Sequence, residues 1–76
     1  MPPVDGSHIP YTVLSGDTVN SIAAKVRVTP DHLWQDNRYD ICSCMKEKKV
    51  VCSYKRGPLD PTVASTPLCP GRILYY

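Results

Sequence analysis

The residues able to do chemistry in this chain of 76 are few: two His, four Cys and seven acidic side chains. The carboxylates Asp5, Asp17, Asp31, Asp36, Asp40, Glu47 and Asp60 fall in no paired arrangement that suggests hydrolysis. His8 and His32 lie far apart with no acidic partner pattern, as expected of solvent-exposed or capping histidines. No activated Ser, no Cys–His pair and no cluster of metal ligands emerges, so no catalytic residue, metal or cofactor is expected. What remains is the cysteine set and one turn, Ser15-Gly16-Asp17-Thr18, within "YTVLSGDTVNSIAAKV". Gly16 lets backbone approach a ligand closely, while Asp17 and Thr18 offer side-chain oxygens, which together suit a polar, uncharged molecule. The same residues are equally explained as a plain helix start with no ligand.

Cys42, Cys44, Cys52 and Cys69 are expected to be staples, because a domain this small buries little apolar surface. With Cys42 and Cys44 two apart on a strand, their side chains point the same way and do not bond each other. One then crosses to Cys52 and the other reaches Cys69, with Cys44–Cys52 and Cys42–Cys69 preferred over the swapped pairing. The alternatives are a four-Cys zinc site, which lacks the usual C-x₂-C knuckles, and free thiols in a cytosolic protein.

These residues must be positioned by a handful of short elements. "IPYTVL" at 9–14 reads as a strand, with Tyr11 and Val13 on one side and Thr12 and Leu14 on the other. Val19, Ile22, Ala23 and Val26 follow the spacing of one buried helical stripe, capped by Asp17 or Thr18. Thr29, Pro30 and Asp31 open a second helix whose apolar face is Leu33 and Trp34 and which fades by Asn37 or Arg38. "ICSCMKEKKVVCSYKRG" reads as a hairpin around a charged tip, "PLDPTVASTP" as a Pro-rich loop, and "LCPGRILYY" as a turn and closing strand. Lys46, Lys48, Lys49, Lys55 and Arg56 are most simply a solvated tip protecting a sheet edge; a phosphate or nucleic-acid patch around Tyr54 is the alternative. The formal net charge of +2 is far from that of a dedicated nucleic-acid binder, and none is expected as a partner. No apolar run approaches the roughly 18 residues that span a bilayer, so no membrane partner is expected either.

In "YTVLSGDTVNSIAAKVRVTPDHLWQDN" and again in "LCPGRILYY", the sequence resembles a LysM domain, over about half of its length. The resemblance implies an α+β fold of order βααβ, two helices on one face of a two-stranded antiparallel sheet. It also implies a non-catalytic module that binds polymers of N-acetylglucosamine, chitin or peptidoglycan. The ligand loops it implies are Ser15, Gly16, Asp17, Thr18 and Val19 on one side and Asn37, Arg38, Tyr39, Asp40 and Ile41 on the other. There Ile41 would meet the acetyl methyl and Tyr39 would lie on a sugar face. The sequence departs from the family in a long insert at about 42–66, carrying three of the cysteines, just where the second loop begins.

Two functions follow. The first is a free-standing chitin binder similar to secreted fungal effectors of this family, shielding or sequestering the polymer. The second is a structural part of a phage-tail or contractile-injection baseplate, which would be cytosolic with reduced cysteines. "PPVDGSHIP" has no apolar core and does not read as a signal peptide, so a secreted origin implies a mature chain with an added Met1. Residues 1–8 are expected to be an arm on a domain at 9–76. Val4, Ile9 and Tyr11 could bury surface against a second copy, giving a homodimer.

Overall fold

A computed structural model of the chain describes residues 8–76. The element order is β1 (Pro10–Thr12), α1 (Val19–Val26), α2 (Pro30–Asp36), α3 (Arg38–Glu47), α4 (Pro61–Ser65) and β2 (Ile73–Tyr75). β1 and β2 pair antiparallel, Pro10 opposite Tyr75, Tyr11 opposite Leu74 and Thr12 opposite Ile73. Strand alternation sorts the sides as expected. Leu74, Tyr11 and, just beyond β1, Val13 face the core, while Pro10, Thr12, Ile73 and Tyr75 are exposed. The α+β class and the βααβ frame are those of the sequence reading.

α1 is closed by a reciprocal cap. The Ser21 N–H donates to Thr18 Oγ1 at 3.0 Å and the Thr18 N–H donates to Ser21 Oγ at 2.9 Å, so two otherwise orphan donors are satisfied. α2 starts at Thr29, whose Oγ1 accepts the His32 N–H, with Pro30 in the first helical position where its missing N–H costs nothing.

The insert differs from expectation. Arg38–Glu47 is a helix and not the first arm of a hairpin, and the loop after it contains the short helix α4. Ile41, Cys42, Cys44 and Met45 are buried at helical spacing, and a helix here delivers Ile41, Cys42 and Met45 to the same core as Ile22, Leu33 and Leu74. α4 repeats the signal seen at Thr29–Pro30: Asp60 Oδ1 accepts the Thr62 N–H and Pro61 takes the first position. Val63 of α4 and Leu68 after it also join the core. The insert therefore completes the hydrophobic interior instead of hanging from it.

All four cysteines are bonded, which removes the zinc and free-thiol alternatives. The pairing is Cys42–Cys52 and Cys44–Cys69, the reverse of the preferred expectation. The helix is the reason. Two residues apart is about 200° around a helix, so Cys42 and Cys44 leave α3 on different sides. Cys42 meets the segment after α3, and Cys44 meets the approach to β2.

Asn37, the single residue between α2 and α3, is 3% exposed and fully employed. Its Nδ2 donates to Leu33 O and Tyr75 O at 2.9 and 2.8 Å, and its Oδ1 accepts the Tyr75 N–H at 2.9 Å. A buried amide with its nitrogen and its oxygen both hydrogen-bonded clips the helix joint to the last strand. His8 and His32, expected to lack an acidic partner, both set Nε2 near Asp36 Oδ2, at 3.2 and 3.4 Å. The proposed arm falls at 1–8, and Val4 lies outside the described residues.

Candidate functional site

β1 runs out into the turn at Ser15–Gly16, and β2 is entered from the turn at Pro70–Gly71. Antiparallel pairing sets these two turns side by side. Val13 N–H donates to Arg72 O and Gly71 N–H donates to Val13 O, each at 2.8 Å, and Leu68 N–H donates to Asp17 O at 2.7 Å. Both turns rest on a glycine in the left-handed region, Gly16 at φ +87° and Gly71 at φ +89°, where a side chain would be strained. A Cβ built on either would meet no atom within 4 Å. Both backbones thus face open space. Ser15 and Gly16 make no backbone hydrogen bond among the described residues, so their amides and carbonyls remain unspent.

The turn is held from beneath by Asp17. Its carboxylate is 5% exposed and accepts from Tyr11 Oη at 2.6 Å, Lys25 Nζ at 2.7 Å, the Leu14 N–H at 3.1 Å and Ser21 Oγ at 3.3 Å. Burial by itself would raise its pKa; the hydrogen bonds from Lys25, Tyr11 and Leu14 and the charge of Lys25 outweigh that and lower it from 3.8 to about 2. Lys25 is raised in return, chiefly by its hydrogen bond to Asp17. The carboxylate is neutralised inside the fold, so the open turn above it presents uncharged backbone.

The structure divides the expected site residues. Ser15 and Gly16 are exposed and Thr18 is half-buried as the cap of α1, whereas Asp17 and Val19 point into the fold. Of the second set, Arg38, Tyr39 and Asp40 reach the surface, while Asn37 and Ile41 are buried. Of the two sets, Val19 and Ile41 meet in the same hydrophobic core. Asn37 sits against Tyr75, at the end of the sheet where β1 begins, and the Ser15–Gly16 turn lies beyond the other end. What stands beside the turn is 67–71. Sequence reasoning saw Pro70-Gly71 as a turn without giving it a role. The signal was there: pairing the first and last strands antiparallel puts the residues after one against those before the other. Leu14 and Ile73, 57% and 45% exposed, provide apolar surface next to the two turns.

Residues 11–43 match the family model of the LysM domain. The resemblance seen in the sequence holds for this segment, which spans β1, α1, α2 and the first half of α3. No curated protein and no solved structure matches the chain. LysM domains are in general binding modules for glycans containing N-acetylglucosamine, as in peptidoglycan and chitin, and are typically non-catalytic. LysM proteins are often extracellular, and two disulfides suit an oxidising compartment. No helix among the described residues is long and apolar enough to cross a membrane.

Proposed function

We propose that this protein is a non-catalytic LysM module that acts outside the cell, binds chitin through its paired glycine turns, and shields or sequesters the polymer. The observation that carries this is the open Ser15–Gly16 turn beside Pro70–Gly71. A chitin chain is neutral, and its handles are acetamide N–H, C=O and methyl groups with ring hydroxyls. Unspent backbone donors and acceptors and apolar edges at Leu14 and Ile73 are what such a chain needs. Two copies joined through their N-terminal residues would give two grooves on one particle and gain avidity on a polymer. The baseplate alternative requires reduced cysteines, and both disulfides speak against it.

Calorimetric titration of the oxidised protein with chitin oligomers of increasing length tests this. Binding should strengthen with length and exceed that of peptidoglycan fragments. Absence of heat with every chitin oligomer would overturn it.

A further inference from the structure

Five of the nine Lys and Arg side chains of this molecule lie in one stretch of its insert. Between Lys46 and Arg56 fall five cations and one carboxylate, in a chain whose formal net charge is only +2. The carboxylate, Glu47, is spent on Arg72. Lys46, Lys55 and Arg56 have no ion pair among the described residues. Two shallow clefts of about 330 and 350 Å³ flank the Val51–Cys52 stretch, and these cations line them: Lys55 and Arg56 on one side, Lys46 on the other.

Two aromatic rings stand at the same place. Tyr39 from α3 stacks on Tyr54 with ring centroids 5.5 Å apart and an interplanar angle of 27°. They are 68% and 42% exposed, so the stacked pair stands at the surface. Arg38 fixes the pair by donating from Nε to Tyr54 O at 3.3 Å while Nη1 holds Gln35. The stretch is anchored from below too, because Trp34 Nε1 and Gln35 Nε2 both donate to Gly57 O, at 3.0 and 2.9 Å. Between Val51 and Leu59 no backbone–backbone hydrogen bond is made among the described residues; Tyr54 O and Gly57 O accept from side chains instead, and the Lys55 N–H donates to Ser53 Oγ. Tyr54 shares one cleft with Lys46 and follows Ser53 of the other, which Lys55 and Arg56 line, so exposed rings and cations without an ion pair border the same stretch of chain. The acids beside it are Asp40 and Asp60, and one oxygen of Asp60 is engaged in capping α4.

We infer that this surface is a second glycan site, and that it takes a carboxylate-bearing polysaccharide of the polyuronate class. A uronate chain repeats a flat sugar face and a single negative charge at each ring. Exposed tyrosine rings beside Lys46, Lys55 and Arg56 offer both a stacking face and a counter-charge to such a chain. Duplex nucleic acid carries a far denser line of charge, one per about 1.7 Å of axis, and calls for a more basic surface than this one. The molecule then has a neutral glycan groove at the paired turns and an anionic glycan surface on its insert. It can tie two matrix polymers together. The inference does not depend on chitin binding.

Titration of the full oxidised chain with oligogalacturonate, followed at low and at high salt, is the test. Binding should appear at low salt and weaken as salt rises. The double variant K55Q/R56Q should bind about tenfold more weakly. Y54A should also weaken binding, whereas Y54F, which keeps the ring, should not. G16A should leave it unchanged, and K55Q/R56Q should leave any chitin binding unchanged. Loss of chitin binding alone would therefore strike only the turn site. The inference is overturned if oligogalacturonate does not bind at low salt, if it binds no better than neutral dextran, if K55Q/R56Q binds as the parent does, or if a single-stranded oligonucleotide binds more tightly.

Discussion

Asp17 illustrates how one side chain can be claimed by two roles that exclude each other. From its type and place it offered an oxygen to a ligand, yet its carboxylate takes four donors from within the chain. Distance along the sequence hid this, since Tyr11 and Lys25 are brought to it only by folding. Its pKa is lowered in the fold to about 2 from 3.8, so its contribution to stability is present above pH 4 and is lost as pH falls toward 2. D17N removes the charge that Lys25 needs. Thermal unfolding of D17N should show a lower melting temperature than the parent at neutral pH, and the difference should shrink between pH 4 and 2, where the parent loses its own advantage. An unchanged difference at pH 2 would mean that the carboxylate charge is not what holds the turn. Ser15 and Gly16 were legible as exposed turn residues because Ser-Gly after a strand admits few other conformations. The burial of Asn37 and Ile41 was not, since it depends on where β2 returns.

At the scale of elements, β1, α1 and α2 were readable because each carries its own local signal: alternation, a 3.6-residue stripe, a cap followed by proline. α3 reads as a strand because Cys42 and Cys44 look like alternation in a β-prone stretch, and helix α2 gives no Gly or Pro stop before it. Its helical state is decided by burial against α2 and the core, which is tertiary information. The disulfide pairing followed that error. Peptide mapping without reduction should recover Cys42–Cys52 and Cys44–Cys69 as separate linked fragments. By loop-closure entropy the bridge spanning 25 residues is worth about 3.5 kcal/mol and the one spanning 10 about 2.7 kcal/mol. The double variant C44S/C69S should therefore lower stability more than C42S/C52S, read by chemical denaturation. It should also weaken chitin binding, because Cys69 lies next to Leu68, which holds Asp17 O, and only two residues before Gly71. Equal affinity in the two variants would detach the 67–71 wall from the site.

Viewed as a whole molecule, the chain uses its insert to extend the core of β1, α1, α2 and β2, and two disulfides hold that insert in place. It leaves two surfaces of different character, uncharged backbone at the paired turns and basic aromatic surface on the insert. Association is a matter for this scale as well. The proposed dimer should appear by light scattering of the full chain and disappear in a chain beginning at His8. Cutting further would remove Ile9, whose carbonyl accepts the Tyr76 N–H, and Pro10, which pairs with Tyr75. Two monomers at tens of micromolar, with and without oligosaccharide, would rule it out. Tyr11, expected at that interface, is half-buried and gives its hydroxyl to Asp17. The central claim is that chitin is held by the two glycine turns. Backbone amide chemical shifts, followed by NMR while a chitin oligomer is added, test it most directly. The account predicts that the largest shifts fall at Ser15, Gly16 and Gly71, with Tyr39 and Tyr54 little moved. Shifts concentrated at 37–41, or a silent Ser15–Gly16 turn in a protein that binds, would contradict it.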